Sequence, residues 1–235
     1  MKYWFAALLL LLMAGCRSTT SPTTIPTNPA AQLQGLTAEA TLEEAVDQLR
    51  VVVDGVELTL YRPEQWEFYP TDYGVVLTEQ IDSVATEGVL SGILTHVWLP
   101  PLDDFNIPSA DGTNLAWQFL TEIIENPDYI GSAAVSPPQA FTWGGLDAAY
   151  YLLDNGDGNL SIVIGVVVPN STRLVTCSVG APVEQAQRIR EMLPVLFANM
   201  TINGVVLDGA ELDQLPDPLD FPRRSSEADL GIAAS

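Results

Sequence analysis

One histidine and two cysteines are the only imidazole and thiol groups among the 235 residues of this chain. A Ser-His-Asp or Cys-His arrangement would have to run through His96. His96 alternates with Leu94 and Trp98 in a segment that reads as a strand, so the expectation is a partly buried histidine with its ring satisfied. No Gly-x-Ser-x-Gly elbow occurs. Cys177 alternates with Val175 and Val179 and reads as a core thiol, a small hydrophobe. A nucleophilic thiolate would need a basic neighbour, and Arg173, in phase on the same strand, is distant. His96 and Cys177 together fall short of a zinc site built from nitrogen and sulfur ligands. Asp154-Asn155-Gly156-Asp157-Gly158-Asn159 offers acidic oxygens, but an EF-hand loop needs oxygens where Gly156 and Gly158 stand. The same residues suit a strand-connecting turn. Asp103 and Asp104 could do acid-base work only inside a cleft, and after Pro100-Pro101 they are expected in solvent. Gly144-Gly145 lacks the Lys-Ser/Thr of a phosphate loop. Of the tryptophans Trp4, Trp66, Trp98, Trp117 and Trp143, Trp66 and Trp143 precede strands and could line a groove; otherwise all five are expected in core or rim. No catalytic residue, metal site or cofactor is expected.

Acidic residues number 30 against nine Lys and Arg, a net charge of −21 with a pI near 4.1. That balance argues against a nucleic-acid partner and against a basic patch on anionic lipid. Hydrophobic residues at 47% and charged ones at 17% are enough for a folded core. Lys2 opens the chain, and Tyr3 to Ala14 is an apolar run of twelve residues. A spanning helix needs about 18–20, so the run has the length of a signal-peptide core. Met13-Ala14-Gly15-Cys16 resembles the bacterial lipobox, with Met where Leu, Val or Ile is usual. The resemblance implies a diacylglycerol on the Cys16 thiol and cleavage that leaves Cys16 first. Two or three acyl chains would anchor the protein stably without a span. The implied partner at Cys16 is membrane lipid, and the implied place is the extracytoplasmic side of a cell membrane or envelope. Arg17 is not the Asp that resembles an inner-membrane retention mark.

These chemistries depend on the elements that carry them. Residues 1–15 read as a signal peptide and 16–39 as the lipidated cysteine and a Ser/Thr/Pro-rich tether. Such a composition cannot offset ordering entropy. The tether would reach roughly 25 Å coiled and about 70 Å extended. Residues 40–205 read as one domain, and 206–235, with Pro216, Pro218 and Pro222, as an acidic irregular tail in which Arg223 and Arg224 are at most a docking point. Within the body, Thr41-Leu42-Glu43-Glu44 is a capping-box pattern that predicts a short helix over 41–49. Asp54-Gly55 predicts a type I′ hairpin, with a strand from Val56 that Arg62-Pro63 stops. Strands are expected over 75–78 and 93–99. A helix is expected from Thr113 to Asn126, with Leu115, Phe119 and Ile123 on one stripe. Three strands follow, over 146–153, 160–168 and 173–179, the middle one apolar on both faces. A second helix runs from Pro182 to about Met200, with Pro194 kinking or restarting it. Short turns force antiparallel pairing, and the fold class is α+β: an antiparallel sheet covered by helices.

This order resembles the PsbP-like α/β/α sandwich. The likeness lies in Leu58-Thr59-Leu60-Tyr61-Arg62-Pro63-Glu64-Gln65-Trp66, in Trp143-Gly144-Gly145-Leu146-Asp147-Ala148-Ala149-Tyr150, and in the closing strand Leu174–Val179 with the helix after Ala181-Pro182. It covers about residues 50–203. That family is mostly non-enzymatic: photosystem accessory subunits, a binder of a small nuclear GTPase, and bacterial lipoproteins. The resemblance implies an accessory or binding module and maps no functional residue onto this chain. The expected function is therefore a membrane-anchored envelope lipoprotein that binds another envelope protein. The alternatives are a small-ligand carrier with an apolar pocket between helix and sheet, and a hydrolase using acidic residues.

Overall fold

The structure is a computed structural model, and it describes residues 41–44, 48–79, 90–102, 114–168 and 173–223. In chain order its strands begin with β1 (Thr41–Glu44), β2 (Gln48–Val53), β3 (Val56–Tyr61), β4 (Glu67–Thr71), β5 (Gly74–Thr78) and β6 (Leu94–Trp98). Then come β7 (Ala134–Val135), β8 (Gln139–Trp143), β9 (Leu146–Asp154), β10 (Asn159–Val167), β11 (Leu174–Pro182), β12 (Met200–Ile202) and β13 (Val205–Leu207). The α-helices are α1 (Leu115–Glu125), α2 (Pro127–Ile130) and α3 (Ala186–Leu196).

The helix expected over 41–49 is replaced by strands. β1 pairs antiparallel with β2, Thr41 opposite Val52 and Glu44 opposite Leu49. The physical reason is β2: Leu49, Val51 and Val53 alternate into the core, opposite Val56, Leu58 and Leu60 of β3. A period of two over that run outweighs the modest helical stripe before it. The β2–β3 turn is the expected one, because Asp54 (φ 50°) and Gly55 (φ 77°) both take the left-handed conformation that a type I′ turn requires. β3 ends at Tyr61, before Pro63.

Among the described residues the strands form two antiparallel sheets. One has the order β1-β2-β3-β12-β13. The larger runs β4-β5-β6-β11-β10-β9, and β9 carries both β7 and β8 on its far side. The expected α+β class is what is observed, with β10 central and apolar on both faces. On one face of the large sheet lies α1. Asn114 caps it by accepting from Trp117 N at 2.9 Å, and Ala116, Phe119, Leu120 and Ile123 bury against Ala149, Tyr151, Leu153 and Val163. On the other face lie α3 and the smaller sheet, which share one core with Tyr150, Ile162, Ile164, Val175, Cys177 and Val97. The layer opposite α1 is thus part helix and part sheet.

α3 is preceded by a 3-10 turn over Val183–Gln185 and ends at Leu196, short of the expected Met200, which opens β12. Pro194 sits inside it without ending it. The boundary at 205 is also corrected. Beyond it β13 pairs with β12, a 3-10 segment spans Gly209–Gln214, and Leu207, Leu212, Leu215 and Leu219 join the core. Burying each such leucine contributes roughly 2 kcal/mol, enough to hold a segment with little regular structure. Gly209 is where this strap crosses α3: a Cβ there would lie 2.3 Å from Pro194 O, so no larger residue fits. Residues 224–235 of the expected tail lie outside the described residues.

Candidate functional site

Strand phase sorts the chemistry of β6 and β11 onto two faces. Val97 opposite Cys177 and Thr95 opposite Val179 look into the shared core. His96 opposite Ser178, and Trp98 opposite Thr176, look the other way, toward the side that carries α1. The register extends the His96 row in both directions, through Val76 to Tyr69 and through Ser178 to Val163. α1 packs over β8, β9 and β10, so its cover lies over the far end of that row.

His96 is 8% exposed, and its Nε2 has no hydrogen-bond partner among the described residues. The expectation of a satisfied ring is corrected: the strand supplies burial, but the flanking positions Val76 and Ser178 leave Nε2 without a partner. Ser178 Oγ donates instead to the His96 carbonyl, at 3.4 Å, and Thr176 Oγ1 donates to Trp98 O at 2.7 Å. Desolvation pushes the imidazole down to a pKa of about 4, so it is neutral near pH 7. Around this buried ring Val76, Trp98 and Ser178 are only half-buried.

Cys177 lies where its phase placed it, fully buried opposite Val97 and Ile164. Burial pushes its thiol well above the ordinary range, which leaves it unreactive. The Asp154–Asn159 segment is the β9–β10 turn. Asp154 Oδ1 accepts from Gly156 N at 2.8 Å and Asp157 Oδ1 from Asn159 N at 3.1 Å, so the backbone of the turn takes an oxygen of each carboxylate. Among the described residues no three or more His, Cys, Asp or Glu side chains gather in a group that could hold a metal ion. Trp66 and Trp143 do not line a groove; both belong to the core. Trp143 donates from Nε1 to Asp208 O at 2.9 Å and meets Phe197 edge-on at 5.7 Å between centroids. Cys16, Asp103, Asp104 and Arg224 lie outside the described residues.

Sequence reasoning missed what the arginines do. Arg173, nearly buried, donates to Leu99 O at 3.1 Å and to Asp54 Oδ2 at 2.6 Å, with its guanidinium 4.9 Å from the centre of the Tyr73 ring. It ties the β2–β3 hairpin tip to the large sheet. Arg190, also buried, reaches Pro216 O (3.1 Å), Asp213 O (3.1 Å) and Leu215 O (3.3 Å), and so clamps the strap onto α3. Arg50 pairs with Glu57 at 2.8 Å and Arg188 with Glu79 at 2.6 Å. These hydrogen bonds hold the Glu57 and Glu79 carboxyls below their usual range. The sequence did carry a hint, since Arg190 sits in the apolar stripe of Ala186, Ile189 and Leu193. With these arginines committed to internal partners, the surface is left acidic.

No protein-family model matches this chain, and no curated protein matches it in sequence. Among solved structures it is similar to the cyanobacterial PsbP (CyanoP) of Synechocystis sp. PCC 6803, with TM-score 0.44 and 12% identity over 68% of this chain and 94% of that one. LpqN, described as involved in cell envelope biogenesis in Mycobacterium tuberculosis, gives TM-score 0.38 and 16% identity over 74% and 96%. The Ran-binding protein Mog1p of Saccharomyces cerevisiae gives TM-score 0.35 and 15% identity over 65% and 85%. At these scores the similarity is one of general chain course.

Proposed function

We propose that this chain is an envelope lipoprotein, held to a membrane through acylated Cys16, whose folded domain binds another protein. The domain works by docking and not by turnover. Its signal peptide is residues 1–15, and residues 16–39 are a tether that gives it reach. The domain continues past 205 to include the strap that ends near Phe221, which packs against the core. No helix among the described residues is long and apolar enough to cross a membrane.

One observation carries the binding reading. In a chain of net charge −21, Arg50, Arg173, Arg188 and Arg190 each pair with one of the protein's own carboxylates among the described residues, and acidic residues outnumber basic ones by 30 to nine, so the exterior keeps the acidic excess. Such a surface steers a partner with a basic patch, and the attraction weakens with salt. The test is capture of partners from detergent-solubilised envelope at low and high ionic strength. A specific protein that is retained at low salt and lost at high salt is the expected result. Retention that ignores salt would overturn the electrostatic reading. Anchoring is tested separately: Cys16→Ser should abolish labelling by palmitate, and full labelling of the variant would refute it.

A further inference from the structure

We infer that the outer face of the smaller sheet, centred on Val206, is where the protein partner docks, through an amphipathic helix whose apolar stripe is flanked by Lys or Arg. The inference rests on the binding reading above and adds the place and the chemistry of the contact. Thr59 stands between the core residues Leu58 and Leu60, Thr201 between Met200 and Ile202, and Val206 beside Leu207, so all three look away from the core. The register sets them side by side, Thr59 opposite Thr201 and Thr201 opposite Val206. Val206, at 56%, is the most exposed large hydrophobic residue among the described ones. Val52 and Tyr61 share this face and are half-buried. The charged side chains described on these four strands are Arg50 and Glu57, which neutralise each other at 2.8 Å. An antiparallel sheet that merely faces water puts polar residues outward along each strand. Val206, Val52 and the methyl groups of two threonines depart from that pattern on a chain of net charge −21.

Charge at the border of the face selects the occupant. Past β13 the chain continues into the strap with Asp208, Glu211 and Asp213, all exposed, and no Lys, Arg or His stands between Arg190 and Arg223. Asp208 is in extended backbone two residues after Val206, so it keeps the side of the sheet that Val206 takes. Asp208 Oδ1 accepts from Ala210 N and Glu211 Oε2 from Gly144 N, both at 2.9 Å, which fixes the two carboxylates in place. At the opposite edge β1 brings Glu43 and Glu44 in sequence. A second copy of this chain would set acid against acid, and so would an anionic lipid surface. A partner with apolar residues over Thr59, Thr201 and Val206, and with Lys or Arg toward Asp208 and Glu211, meets both the surface and its border. Three adjacent strands span about 10 Å. That is about two turns of helix, so one short amphipathic helix covers the row.

The test is photocrosslinking of the full chain in intact envelope, with the photoreactive residue benzoylphenylalanine at position 206 and, as the control, at position 183. Val183 is also well exposed, at 50%, but stands on the 3-10 turn before α3. The expected result is an adduct with one protein from position 206 and none from 183. Mass spectrometry of the adduct should find a partner segment with apolar residues at helical spacing between Lys or Arg. Val206→Glu should weaken the salt-sensitive capture roughly tenfold, and Val183→Glu should leave it unchanged. The inference is overturned by an adduct with a second copy or with lipid, by a partner segment without basic residues, by equal adducts from the two positions, or by no adduct at 206. Salt-sensitive capture that persists while position 206 stays silent would keep the basic partner and remove only this face. Absence of salt-sensitive capture in the natural chain would remove both. The adduct arm introduces no charge, so it decides even where Val206→Glu impairs folding.

Discussion

The two faces of the β6–β11 strand pair differ in what they bury. Cys177 and Val97 look into a core assembled from two sheets, α3 and the strap, which is apolar apart from Thr95, whose buried Oγ1 has no hydrogen-bond partner among the described residues. One residue along, Ser178 and His96 look outward, where a buried ring nitrogen lacks a partner among the described residues. The inner face stabilises the fold chiefly through buried apolar area, with the small hydroxyl of Thr95 as its unmet polar group. The outer face adds the larger cost, a buried ring nitrogen without a partner, which packing does not remove.

The largest perturbation that sharpens this contrast is on the inner side. Trp143 is fully buried, and its Nε1 bonds the strap at Asp208 O, so Trp143→Ala should destabilise by about 3–5 kcal/mol. Urea denaturation of the two proteins measures it. A loss below about 1 kcal/mol would mean that the strap is not part of the core.

The outer face should reveal itself through pH. The folded-state pKa of His96, about 4, lies below its unfolded value near 6.5, so the folded protein binds fewer protons. The His96 contribution is therefore complete above pH 6.5 and is lost as pH falls toward 4, amounting to about 3 kcal/mol at its limit. Denaturation midpoints between pH 7 and 4 should fall in the natural chain and stay flatter in His96→Phe. Equal slopes in the two proteins would show that His96 is solvated. Below about pH 4.5 the Glu79–Arg188 pair adds a fall of the same sign, because the Glu79 carboxyl is held below its ordinary range and its contribution is lost on protonation.

The smallest effects compare neighbours directly. Cys177→Ser places a hydroxyl among apolar side chains and should cost about 1–3 kcal/mol, whereas Ser178→Ala removes only a long hydrogen bond and should stay within about 0.5 kcal/mol. A reversed order would mean that the strand phase is wrong by one residue. In the native protein Cys177 should also resist a thiol reagent until unfolding; rapid modification near neutral pH would expose the thiol and break the contrast at its inner side.

Much of this molecule follows from local chemistry in the sequence. Asp54-Gly55 determined the β2–β3 turn because both residues tolerate the left-handed conformation that a type I′ turn needs to match the twist of its strands. The stripe Leu115, Phe119 and Ile123 determined α1, and alternation placed Cys177 in the core before any partner strand was known. Tertiary structure decided the rest. The capping-box residues of 41–44 became a strand because β2 offered an edge to pair with, and no local propensity reports that edge. Leu207, Leu212, Leu215 and Leu219 have no regular period, so they reveal a core segment only once Arg190 and α3 give them a surface to close on. The unmet Nε2 of His96 was likewise invisible in one dimension, because whether a buried atom is satisfied depends on which side chains the register brings beside it, here Val76 on one strand and Ser178 on the other.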